Sequence, residues 1–210
     1  MARILCFGDS NTWGWNPHDK SRYGKETRWT GRLQEMFGTL HEIIEEGLNG
    51  RTTTFDDHVS GGGKKGLSYL IPCLETHRPI DLVIMMLGTN DLKLRFSLSA
   101  YDIARAMDRL VATVLGSTAG PAGESPQVLL VSPARVGPLS DFKEMFAGAR
   151  EKSLLLGRHY RQVSLERGCH FLDAAELIES SPVDGIHLEK ESHGILAEAF
   201  VQKIGQILQS

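Results

Sequence analysis

The chain has 210 residues, 41% of them apolar and 23% charged, the length of one ordinary globular domain able to bury about 70% of its unfolded surface. A formal net charge of −3 creates no strong general field, so nucleic acid, an anionic membrane or a polyanionic substrate is not an expected partner. Cys6, Cys73 and Cys169 are scattered with no Cys-x-x-Cys pair, and the first apolar run is too short for a secretory leader or a membrane span, which points to a reduced, cytoplasmic setting.

The first strand-length run, residues 4–7, ends in Gly8-Asp9-Ser10. It places Ser10 at the carboxyl edge of a sheet and at the amino end of a helix, where backbone N–H groups lack partners. A helix is predicted at 29–37 and a strand at 41–45, followed by Gly47 and Gly50. The glycine-rich run 60–66 has the glycine spacing of a Walker loop, but Leu67 stands where lysine is needed and no strand precedes it, so a nucleotide site is excluded there. A helix at 67–76 leads to a strand at 82–87, whose continuous apolar run looks buried on both faces and ends in Gly88-Thr89-Asn90-Asp91. The helix at 100–115 keeps an apolar stripe through Ile103, Met107, Leu110, Val111 and Val114. A strand at 128–132, a helix at 143–166 open to interruption at Gly148 or Gly157, a strand at 170–172 and a helix at 192–208 complete the pattern. Alternating β and α segments predict a single α/β domain over 1–210, a three-layer α/β/α sandwich about a parallel, flavodoxin-like sheet of about five strands. In such a sheet ligands collect beyond the carboxyl ends of the strands, where Ser10, Gly50 and Asn90 all fall.

Taken singly, Ser10 reads as a helix cap, and Asp184-Gly185-Ile186-His187 as a turn before the last helix. Together they form a candidate catalytic triad: Ser10 as nucleophile, His187 as its base, and Asp184 holding the imidazole in one tautomer. Ser10, Gly50 and Asn90 are candidate oxyanion donors, with a turn glycine and a turn or cap asparagine as the plain alternatives for the last two. Ser10 lies in Gly-x-Ser-x-Thr on the first strand, unlike the Gly-x-Ser-x-Gly elbow of α/β-hydrolases. Trp13 and Trp15 divide between helix packing and an apolar pocket wall, Trp13 being the pocket candidate. Phe142, Met145 and Phe146 read as ordinary helix burial, and His193 as a surface or supporting residue of the last helix. The remaining histidines lack metal-ligand spacing, so neither a metal nor a cofactor is expected.

These blocks, Gly8-Asp-Ser10, a glycine after the second strand, Gly88-Thr-Asn-Asp91 and Asp184-Gly-Ile-His187, resemble the four ordered blocks of the SGNH, or GDSL, hydrolases. The strings Cys6-Phe-Gly-Asp-Ser-x-Thr-Trp-Gly-Trp15, Arg28-Trp-Thr-Gly31, Glu45-Glu-Gly-Leu-x-x-Arg-Thr-Thr53, Ser68-Tyr-Leu and Val183-Asp-Gly-Ile-His187 bring it nearest to the arylesterase, acyltransferase-perhydrolase and carbohydrate acetylesterase subgroup. The resemblance implies a serine esterase acting on short-chain, mainly acetyl, esters of aryl, alkyl or carbohydrate alcohols, with acyl transfer alongside hydrolysis. It implies a homo-oligomer, an octamer among the options, in which the segment near Phe142 covers a neighbouring site. Asn11 replaces the leucine usual in the family motif, implying a more polar, substrate-facing rim. A non-catalytic flavodoxin-like binding module, or a lipase or thioesterase of the same family, are the alternatives.

Overall fold

β1 (Ala2–Gly8) is apolar from Ile4 to Phe7 and runs through the middle of the molecule, with every residue from Ile4 to Gly8 buried. In the computed structural model, which describes residues 1–209, it pairs in parallel with β2 (His41–Gly47) on one side and β3 (Leu82–Met86) on the other. β4 (Gln127–Ser132) and β5 (His170–Asp173) extend the sheet, giving the all-parallel order β2-β1-β3-β4-β5.

Because strand side chains alternate, the sheet has two apolar faces, and each is covered. Leu5, Phe7, Val83, Met85, Val128 and Leu130 pack with residues from three helices, α3 (Gly66–His77), α4 (Ala100–Leu115) and α5 (Ala149–Arg167). Ile4, Cys6, Ile84, Met86, Leu129 and Val131 pack against Trp29 and Leu33 of α2 (Trp29–Phe37) and Leu196, Phe200 and Ile204 of α6 (Lys190–Leu208). The fold is the three-layer α/β/α sandwich that the alternating segments predict. Its strand order reverses at β1, so a crevice opens beyond the carboxyl ends of β1 and β3.

Two boundaries differ from expectation. Residues 143–148 form turns, and α5 starts only at Ala149, because Gly148 takes a left-handed conformation at φ 73°. Gly157 does not interrupt α5. It admits the Asp173 carboxyl to the place a Cβ would occupy, which is a packing requirement rather than a break. β5 runs one residue beyond the expected 170–172, to Asp173. Among the described residues, no helix is long and apolar enough to cross a membrane.

Candidate active site

β1 delivers Ser10 to the crevice through a tight turn. A Cβ on Gly8 would collide with the Thr12 hydroxyl and the Met86 carbonyl, so glycine is needed where the strand passes under the turn. Asp9 then caps the one-turn helix α1 (Ser10–Trp13), its carboxylate accepting from Asn11 N–H at 3.0 Å.

The second component comes from the turn before α6. Gly185 adopts φ 76°, and two backbone bonds of Ser181 (its carbonyl accepting from Gly185 N–H, 2.8 Å; its N–H donating to the His187 carbonyl, 2.7 Å) close the loop. Asp184 Oδ1 accepts the N–H groups of Ile186 and His187 at 2.9 Å each, while Oδ2 lies 2.6 Å from His187 Nδ1. The imidazole is thereby held with Nδ1 as donor, and Nε2 faces the Ser10 hydroxyl at 3.0 Å. Ser10, Asp184 and His187 are 6%, 5% and 6% exposed, so the chain of hydrogen bonds runs through a largely desolvated space. Burial pushes the Asp184 carboxyl up, but the bond from His187, its charge and the two N–H donors outweigh that and hold it below its ordinary value.

The loops after β2 and β3 are locked together beside Ser10. Asn90 Nδ2 donates to the Arg51 carbonyl at 3.1 Å, which fixes the amide and leaves its second N–H for another acceptor. Asp91 accepts from Thr53 N–H at 3.1 Å and from the Thr53 hydroxyl at 2.5 Å, and Arg51 Nη1 donates to the Gly8 carbonyl at 2.9 Å. Burial raises Asp91 to about 7 against these Thr53 bonds, and raises Asp9 to about 6 against the Asn11 N–H and the charges of His187 and Arg51.

Ser10, Gly50, Asn90 and His187 share the lining of one cavity of about 190 Å³, with Trp15, Asn49, Ser60, Lys93, Phe142, Met145, Phe146 and Ile186. One wall is therefore apolar and aromatic, and the other is polar. Trp15 rather than Trp13 forms the wall: its ring stacks on His187 at 5.3 Å, while Trp13 lies off the lining beneath the Arg22 guanidinium at 5.1 Å. Phe142, read from sequence as helix packing, sets its edge against His187 at 5.9 Å. Asn11 is not at the rim. It is 3% exposed and turned inward, its Nδ2 donating to the Ile186 carbonyl at 3.3 Å, so it braces the turn that carries His187. His193 is fully buried, its Nδ1 accepting from the Trp29 N–H at 3.3 Å at the start of α2. Sequence reasoning missed Asn49, Ser60 and Lys93. For Asn49 the only signal is that it adjoins Gly50.

A family model for GDSL-like lipases and acylhydrolases matches residues 6–195. The inhibitor-bound aryl esterase of M. smegmatis is 40% identical, with 98% of this chain and 99% of that one covered and a TM-score of 0.93. A carbohydrate acetylesterase from Sinorhizobium meliloti is also 40% identical, with coverage of 99% and 100% and a TM-score of 0.93. A second Sinorhizobium meliloti structure, a carbohydrate acetylesterase family member, is 35% identical over all of both chains at a TM-score of 0.95. No curated protein sequence matches. The matched segment runs from the strand before Ser10 into the helix after His187, and on that match the chain belongs to the GDSL-like lipase/acylhydrolase family and is a carboxylic ester hydrolase.

Proposed function

We propose that Ser10, His187 and Asp184 act as a catalytic triad that removes short acyl groups, acetyl above all, from aryl, alkyl or carbohydrate esters through an acyl-Ser10 intermediate. The observation that carries this is the unbroken hydrogen-bond chain from the Asp184 carboxylate through both His187 nitrogens to the Ser10 hydroxyl. Ser10 Oγ attacks the ester carbonyl as its proton passes to His187 Nε2, and Asp184 stabilises the imidazolium. The developing oxyanion is met by the N–H of Ser10 in the unpaired first turn of α1, the N–H of Gly50 and the free N–H of Asn90 Nδ2, each worth about 3 kcal/mol of barrier. His187 returns the proton to the leaving alcohol, then activates water to release the acid.

A cavity of about 190 Å³ is small beside drug-sized pockets of about 300–1,000 Å³, which supports short acyl chains over a lipase reading. The aromatic wall of Trp15 and Phe142 limits water at His187, which supports acyl transfer to an alcohol or peroxide in competition with hydrolysis. The free cysteines support a reducing, cytoplasmic setting, and the exposed Leu94 and Val59 near the cavity support association with further copies of the chain. A fluorophosphonate probe should add one equivalent of mass to the wild type and none to Ser10→Ala, in parallel with loss of nitrophenyl acetate hydrolysis. Labelling of neither folded protein would favour a binding module.

A further inference from the structure

On the side of α3 that faces β2, the structure gathers three metal-ligating groups that the ester chemistry does not use. Tyr69, Cys73 and His77 stand four residues apart on α3, along one stripe that meets Glu46 near the end of β2. His77 Nε2 lies 2.8 Å from Glu46 Oε1, and the Tyr69 hydroxyl donates to the same oxygen at 3.3 Å. The Cys73 sulfur, the His77 ring nitrogen and the Glu46 carboxylate oxygen all lie within 4.8 Å of one another. Cys73 is buried, whereas the Glu46 and His77 side chains are 17% and 25% exposed, and none of the three lines the ester cavity.

Thiolate, imidazole and carboxylate are the donors of four-coordinate zinc sites, and bonds of about 2.0–2.3 Å place tetrahedral ligand atoms roughly 3.3–3.8 Å apart. The present spacings, from 2.8 Å between His77 and Glu46 to at most 4.8 Å within the trio, bracket that range, and the partial exposure of these two side chains gives water access to a fourth position. We propose that Glu46, Cys73 and His77 form a binding site for one zinc-class divalent ion, distinct from the ester site. On binding, the Cys73 S–H bond is exchanged for a sulfur–metal bond and its proton goes to solvent. The His77 proton moves to Nδ1, freeing Nε2 to ligate, and the Glu46 carboxylate exchanges its bond from His77 for one to the ion. The Arg51 guanidinium, stacked over Phe7 at 4.2 Å and Tyr69 at 5.1 Å, adds a positive charge nearby. Uptake of the divalent ion with loss of the Cys73 proton takes the trio from a net charge of −1 to zero, so Arg51 loses the attraction of the Glu46 charge but meets no net positive charge there.

Cobalt(II) titration of the full chain tests the site, because thiolate ligation gives a near-ultraviolet charge-transfer band and tetrahedral geometry gives strong visible bands. One equivalent is expected to saturate both, with Zn2+ displacing the cobalt. Cys73→Ser should abolish the charge-transfer band, Cys169→Ser should leave it unchanged, and His77→Gln should weaken binding at least tenfold. Nitrophenyl acetate hydrolysis by each variant reports that it remains folded. Absence of the band in the wild type, its persistence in Cys73→Ser, or undiminished affinity in the partly exposed His77→Gln variant would overturn the site.

Discussion

Replacing Asn11 by Leu tests whether this side chain braces the catalytic turn or faces the substrate. Asn11 Nδ2 donates to the Ile186 carbonyl at 3.3 Å, while its Oδ1 is buried without a partner. Leucine has nearly the same shape, so the substitution removes two opposing effects. The lost hydrogen bond is worth about 1 kcal/mol, leaving the Ile186 carbonyl with only the Ser180 hydroxyl at 3.5 Å. Relief of the unpartnered oxygen returns about 1–3 kcal/mol, so stability should hold or rise by up to about 2 kcal/mol, at about 2–4 °C in Tm per kcal/mol for a chain of this size. Activity should move the other way. Ile186 precedes His187, and about 1 kcal/mol less positioning of the imidazole lowers kcat/KM about fivefold. Because the brace acts on His187, that factor should appear in kcat and be the same for nitrophenyl acetate and butyrate. Thermal denaturation with steady-state kinetics on the two esters decides the matter. A changed ratio between the esters, or a change confined to KM, would put Asn11 against the substrate and refute the geometry. Destabilisation beyond about 2 kcal/mol would refute the cost assigned to Oδ1.

Lys93→Met should destabilise by about 3 kcal/mol in urea unfolding, because Lys93 Nζ and Asp57 Oδ2, both buried and 2.7 Å apart, form a pair whose loss leaves Asp57 only the Arg95 guanidinium as a cationic partner; a loss below about 1 kcal/mol would show that Arg95 suffices. Asp91, raised to about 7 from 3.8, binds its proton more tightly folded than unfolded, so its contribution is full below about 4 and is lost as pH rises to about 7. The depressed Asp184 runs oppositely, contributing above about 4 and losing that contribution as pH falls further. Asp91→Asn should therefore flatten the fall in stability between pH 4 and 7, and an unchanged slope of urea midpoints removes Asp91 as its source. Trp15→Ala opens the wall beside His187 and should lower the ratio of alcohol acetylation to hydrolysis about threefold, measured by product partition from one acetyl donor; an unchanged ratio means that Trp15 does not exclude water.

What was legible in the sequence was local. Ser10, and Asp184 with His187, occur in short polar strings beside glycines, and continuous apolar runs such as the one in β3 announce a sheet covered on both faces. What was not legible depends on distant partners. Trp15 leaves the direction of α1 because Gly14 turns the chain at φ 92°, with Arg28 packed where a Cβ would be, so two neighbouring tryptophans separate into a wall and a support. The inward turn of Asn11 depends on a carbonyl far along the chain. The grouping of Cys73 and His77 with Glu46 is not legible for the same reason: the first two sit one turn apart on α3, but Glu46 reaches them from β2, distant in sequence.

The same dependence explains why the proposed oxyanion donors could be named singly but not placed. An oxyanion hole works only if its donors are held before charge develops. For the donors proposed here the holding groups are Arg51, Thr53 and Asp91, none of which lines the cavity. Arg51 joins three strand ends, since its guanidinium donates to the Gly8 carbonyl of β1 and to the Glu46 carbonyl of β2, and its own carbonyl takes one N–H of Asn90 after β3. Thr53 and Asp91 repeat the tie between the second and third loops. Ser10, Gly50 and Asn90 thus owe their convergence to a buried polar network behind the cavity, and loosening that network should lower kcat more than it raises KM.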